Sequence, residues 1–183
     1  MPKADFDQFV KRQQVSPSEV VPIDWNRRRD EWLDCLSDLY EKIEGFLETY
    51  ISSDQVRREY LNIWLNEENI GSYEATQLTL KFGRQTVIFK PIGTLLIGTK
   101  GRVDVTGSAG SARLVLVDKS ATSARSLIHV TTKTLNTQAP NTAPQPLRSA
   151  EWVWKIAAAP PDMRFNELTQ DTFFDMVLAI ANA

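Results

Sequence analysis

The feature that most constrains the fold is a change of hydrophobic period near Tyr60. Upstream, Trp32, Leu36, Leu39, Ile43, Phe46 and Tyr50 recur at spacings of 4, 3, 4, 3 and 4. That spacing draws one apolar stripe along a helix of nearly three heptads. Asp24 is placed to cap its start. Leu33, Tyr40 and Leu47 widen the stripe, while Asp34, Asp38, Glu41, Glu44 and Glu48 make the opposite side acidic. A stripe this broad, with Gly45 inside it, suits a helix laid across a sheet better than a narrow coiled-coil seam. A dimer seam is the alternative use.

From Tyr60 onward the period is 2. "YLNIWLN" sets Leu61, Ile63 and Leu65 against Tyr60, Asn62 and Trp64, and "EATQLTLKF" alternates Leu78, Leu80 and Phe82 with Thr79 and Lys81. "TVIFKPI", "TLLIG", "RVDV", "RLVLVD" and "SLIHVTT" follow, separated by turn residues. Successive short strands without helical patterns between them predict an antiparallel meander, not βαβ units. "LVLV" at 114–117 is apolar on both parities and reads as a strand covered on both faces. "EWVWKIAA" returns as a strand with Trp152, Trp154 and Ile156 on one face. "LTQDTFFDMVLAIANA" reads as a closing helix with Thr169 as its cap. The expected fold class is α+β: a long N-terminal amphipathic helix, an antiparallel meander sheet of about six or seven strands and a C-terminal helix, with the helices mainly on one face.

The 183 residues fit one domain, preceded by an extended, partly helical arm over 1–22 and interrupted by a Pro-rich segment over 134–149 that reads as a mobile surface loop. No apolar run is long enough to span a bilayer, and "MPKADFDQFV" lacks the apolar core of a secretory signal. With a single cysteine, Cys35, no internal disulfide can form, and a reducing, cytoplasmic setting is expected.

Charge is unevenly placed. Residues 1–80 hold 16 acids and 9 bases, whereas residues 81–148 hold 10 bases and only Asp104 and Asp118. A basic run across adjacent strands can face a polyanion without any further motif. Lys81, Lys90, Lys100, Arg102 and Arg113 are the candidate contacts, with Tyr60, Trp64, Tyr73, Trp152 and Trp154 as stacking platforms. The plainer reading makes these bases edge-protecting residues that keep a sheet soluble, facing the acidic helix within one molecule or between two.

Enzyme chemistries fare poorly. "GTLLIGTKG" misses a phosphate-binding loop, because Thr99 separates Gly98 from Lys100 and a strand follows where a helix N-terminus is required. Asp104 and Asp118–Lys119 mimic a metal-dependent nuclease, but an adjacent acid and lysine leave a strand on opposite faces. His129 and Cys35 are single residues of their kinds and complete neither a triad nor a zinc site. No cofactor and no metal is implied. The paired glycines of "GTKG" and "GSAG" read as hairpin turns needing positive φ.

"PIGTLLIGTKGRVDV", "RLVLVDK", "WVWKI" and "PPDMRFNEL" together resemble a set of small uncharacterised bacterial α+β proteins over about the second half of the chain. The resemblance implies no activity, ligand or catalytic residue. The expected function is that of a non-catalytic interaction module, such as an adaptor, inhibitor or regulatory subunit of a bacterial complex. Its partner is another protein or a second copy of itself. The stripe Trp32, Leu36, Leu39, Ile43, Phe46 and Tyr50, or an exposed sheet edge, would supply the contact. Nucleic-acid or nucleotide binding through the basic 81–148 region is the alternative, and a divergent metal nuclease the third reading.

Overall fold

The computed structural model describes residues 24–94, 99–127, 151–158 and 164–181. The arm at 1–22, the Pro-rich loop at 134–149 and His129 lie outside the described residues. Helix α1 (Trp25–Ser52) leads into strands β1 (Arg57–Glu67), β2 (Gly71–Phe82), β3 (Gln85–Gly93), β4 (Gly101–Thr106) and β5 (Ser111–Asp118). A short 3-10 turn (Ala124–Leu127), β6 (Trp152–Ala157), β7 (Phe165–Glu167) and helix α2 (Gln170–Ala181) complete the described chain. The strands form one sheet in sequence order, β1 to β7, and every neighbouring pair is antiparallel. The fold is α+β.

Helix α1 starts where Asp24 accepts the Arg27 backbone N–H at 3.0 Å, which satisfies one of the free donors of the first turn. Trp32, Leu36, Leu39 and Ile43 of the stripe are buried in the main core, Phe46 is half-buried and Tyr50 is exposed. The stripe is therefore taken up by the sheet, which it meets together with Phe173, Val177 and Ile180 of α2. The strand residues on that face, among them Leu80, Val87, Phe89, Val103 and Leu114, are fully buried. In α2 the Thr169 hydroxyl accepts the Thr172 N–H at 3.3 Å, as a cap does.

β5 is covered twice, as its two-parity pattern requires. Leu114 and Leu116 join the main core, while Val115 and Val117 pack with Ala121 on the other face. Lys155 of β6 is buried on that second face and donates to the carbonyls of Lys119 and Ala121 at 2.8 and 2.7 Å, pinning the covering loop.

Three local expectations need correction. "SLIHVTT" begins in the 3-10 turn, not a strand, within its described part. The three-residue β7 had no sequence signal of its own. Gly101 and Gly107 also do not have positive φ; among the described residues the glycines that do are Gly71, Gly83 and Gly93, and Gly98 lies outside them. Close approach explains Gly101 and Gly107 instead. A Cβ on Gly101 would stand 2.0 Å from the Trp32 ring, and one on Gly107 would stand 2.3 Å from the Ile180 carbonyl oxygen. The β4–β5 turn also caps α2: the Ala109 N–H and the Ser108 hydroxyl donate to the Ile180 and Ala181 carbonyls at 2.7 and 2.8 Å.

Candidate functional site

The sheet has two unlike edges. β7 has three residues and offers little to a passing strand. β1 has eleven residues, pairs with β2 along its whole length without a register shift, and has no described strand on its other side. Natural edges are usually guarded by lysine, proline, bulges or brevity. Residues 60–66 of β1, "YLNIWLN", contain none of these. Trp64 is 69% exposed, Leu61 59% and Tyr60 47%. Leu61 was expected on the core face with Ile63 and Leu65; of these only Leu65 is buried.

The reason lies in how β2 parts from β3. Their pairing ends at Leu78 opposite Phe89, while β2 continues with β1 as far as Gly71. Beyond that point the hairpin is a two-stranded ribbon, free to twist more strongly than a sheet interior. The buried parity of β2 accordingly changes from Leu78 and Leu80 to Ala75 and Tyr73. Tyr40 of α1 occupies the fork. Its hydroxyl donates to the Thr76 carbonyl at 2.6 Å and lies 3.5 Å from the Phe89 carbonyl. Burial pushes the Tyr40 phenol well above its ordinary pKa, so it stays a donor.

A buried polar knot holds the ribbon's tip. Glu67 accepts the Thr94 backbone N–H at 2.9 Å and the Thr94 hydroxyl at 2.7 Å, and it accepts the Tyr73 hydroxyl as well. Burial and then Glu67 raise the pKa of Tyr73. The Trp32 indole N–H lies close to that hydroxyl without completing a hydrogen bond. Arg28 of α1 donates to the Thr94 carbonyl at 3.2 Å. Farther along β1, Glu44 of α1 pairs with Arg58 at 3.1 Å and accepts the Tyr60 hydroxyl, whose pKa rises to about 12 through burial and then that acid.

A cleft of about 500 Å³ separates α1 from this hairpin, lined by Leu33, Ser37 and Glu41 on the helix and by Tyr60, Asn62 and Glu74 on the strands. It opens beside the free edge.

The five basic candidates fall into two groups. Directly opposed residues of antiparallel strands share a face. The registers Lys90–Asp104 and Asp104–Arg113 therefore put Lys90, Asp104 and Arg113 on the sheet face away from the helices, with Arg102 two residues from Asp104. Lys81 is on the same face. Lys100 is not. Its ammonium pairs with Glu31 of α1 at 3.1 Å and lies 5.0 Å from the Trp152 ring centre. Hydrogen bonding from Arg27 and then Lys100 holds Glu31 below the usual carboxylate range.

On the open face, Arg102 forks onto Asp104 at 2.6 and 2.7 Å, and Lys81 meets Glu59 at 2.6 Å. Among the described residues Lys90 and Arg113 have no ion-pair partner. Asp104 and Asp118 do not converge. Asp104 faces away from the helices, whereas Asp118 is opposite Trp152 on the core-side parity, and its carboxylate is lowered by hydrogen bonds from Ser120. About five residues of strand, roughly 17 Å, further separate them. Among the described residues no three metal-ligating side chains cluster, and no helix is long and apolar enough to cross a membrane.

Comparison with known proteins returns no matching family model, no matching curated protein and no matching solved structure.

Proposed function

We propose that this chain is a non-catalytic protein-interaction module, of the adaptor, inhibitor or regulatory-subunit kind, that receives a strand of another polypeptide on the free edge of β1. The observation that carries this reading is the seven-residue unguarded run 60–66 within the eleven-residue edge strand, with exposed Trp64, Leu61 and Tyr60. Strand addition takes affinity from backbone hydrogen bonds and specificity from alternate side chains, and β1 offers both. The stripe of α1 supports the reading indirectly: its Trp32, Leu36, Leu39 and Ile43 hold the sheet in place, and the contact surface falls to the edge. A cytoplasmic setting accompanies the proposal, since Cys35 then stays reduced.

The test is Trp64→Lys, which puts a charge on the edge while replacing a side chain that is 69% exposed. The variant is expected to keep the circular dichroism of the parent and a cooperative unfolding transition, and to lose its partner in affinity capture. Retained capture by a folded variant contradicts the proposal.

A second reading has its own observation: Lys81, Lys90, Arg102 and Arg113 share one face of the sheet. That face suits a nucleic-acid backbone, with binding that weakens as salt rises. Retention on heparin or a single-stranded oligonucleotide at low salt, lost in Lys90→Glu/Arg113→Glu, supports it. Equal retention of parent and double variant removes it.

A further inference from the structure

The direction of the unpaired backbone groups on β1 can be worked out from Tyr40. The Tyr40 hydroxyl sits between β2 and β3, where it donates to the Thr76 carbonyl at 2.6 Å, and Leu78, two residues along β2 and opposite Phe89, shares the parity of Thr76. Thr76 and Leu78 therefore turn their peptide groups toward β3 and away from β1. In an antiparallel ladder the residue opposite such a position also points outward. Asn62 is opposite Thr76 and Tyr60 opposite Leu78. By alternation Arg58, Tyr60, Asn62, Trp64 and Asn66 present N–H and C=O at the free edge, while Leu61, Ile63 and Leu65 are bonded to β2.

That parity restricts what can dock. An incoming antiparallel strand must bring its own outward-facing residues into line with these five, and β1 itself satisfies the condition. A twofold axis through Asn62 sets Asn62 against itself, Tyr60 against Trp64 and Arg58 against Asn66, with every opposed pair at the free-edge parity. On the other face the same axis sets Leu61 against Ile63. Glu59 meets Leu65, so no like charges oppose each other, a juxtaposition that would be destabilising. The exposed apolar side chains find one another: Trp64 of a second copy comes beside Tyr60, at the mouth of the cleft between α1 and the hairpin.

We infer that the occupant of the β1 edge is a second copy of this chain, paired antiparallel about Asn62 to join two seven-stranded sheets into one. The inference rests on the strand-addition reading above and names its partner. The twofold axis stands perpendicular to the sheet, so it also brings the two open faces together on one side. Lys90 and Arg113 of both copies then share a single surface.

The full-length protein tests this directly. Sedimentation equilibrium should give twice the 20.7 kDa chain mass. Asn62→Pro deletes a free-edge N–H, along with an exposed side-chain bond from the Thr76 hydroxyl at 3.4 Å, and should return the single-chain mass with unchanged circular dichroism. Trp64→Lys provides a second route to the same result if the proline perturbs β1. In a Cys35→Ser background, Asn62→Cys should form a disulfide-linked dimer under mild oxidation, because directly opposed Cα atoms of a hydrogen-bonded pair lie about 5.5 Å apart. Arg113→Cys, on the open face, should not. A single-chain mass for the parent overturns the inference, as does a dimer that survives both edge variants or equal cross-linking at positions 62 and 113. A single-chain parent that binds an unrelated polypeptide, with that binding lost in Trp64→Lys, overturns self-pairing and leaves strand addition standing. A single-chain parent whose edge binds nothing removes both.

Discussion

The Tyr40 hydroxyl reaches the Thr76 carbonyl at 2.6 Å at the fork where β2 leaves β3. One bond thus joins the helix, the core sheet and the ribbon that carries the exposed edge. Tyr40→Phe leaves the part-buried Thr76 carbonyl without this donor, and a lost bond of this kind costs about 1 kcal/mol. Chemical denaturation should show that loss. Amide exchange in β1 should accelerate more than in β4, because the ribbon loses its anchor.

Alkaline pH should act on the same region. Burial raises the folded pKa values of Tyr40, Tyr60 and Tyr73 above the ordinary phenol value of about 10. The folded state therefore holds protons that the unfolded state releases, and stability is fully present below about pH 10 and falls above it. For Tyr60 the loss continues to about pH 12. Unfolding midpoints measured across this range should decline, and the decline should be shallower in Tyr40→Phe.

Gly45 stands exposed in the middle of α1 with nothing within 4 Å of an added Cβ. Gly45→Ala should stabilise the protein by roughly 0.5–1 kcal/mol, since alanine surrenders less backbone freedom in a helix. A thermal scan checks the sign. Gly101→Ala should do the opposite. Its methyl group would meet the buried Trp32 ring at 2.0 Å, and overpacking of this sort costs about 1–3 kcal/mol or more.

Much of this was legible in the sequence. The 4-3-4-3-4 stripe and the period-2 segments are direct imprints of burial on one side, so α1, the meander and the doubly covered β5 could be read from them. The parity of β1 could not. "YLNIWLN" alternates as if Leu61, Ile63 and Leu65 faced a core, yet Leu61 is 59% exposed because the ribbon twists away where β2 ends its pairing with β3. That fork depends on a tertiary contact from Tyr40, which leaves no periodic signal. The glycines misled for a related reason: closeness to Trp32 and Ile180 is a property of packing, not of the turn sequence. The basic run gave the correct strands, but only the registers could separate Lys100, held by Glu31, from Lys90 and Arg113 on the open face.

If the open face binds nucleic acid, its strength should follow those registers. Lys90→Glu/Arg113→Glu should lower the magnitude of the slope of log K against log salt by about 2, one for each lost phosphate contact. Lys100→Glu should change that slope little, because its partner is Glu31. Titration of a labelled oligonucleotide at several salt concentrations measures both.

The even-numbered residues of β1 offer an edge that a second copy of this chain completes. Residue-resolved amide exchange across a range of protein concentration tests it most directly. The amides of Tyr60, Asn62 and Trp64 should gain protection as concentration rises, while those of Leu61, Ile63 and Leu65 are protected throughout by β2. Even-numbered amides that exchange freely at every concentration, or odd-numbered ones that alone respond to it, would contradict the account.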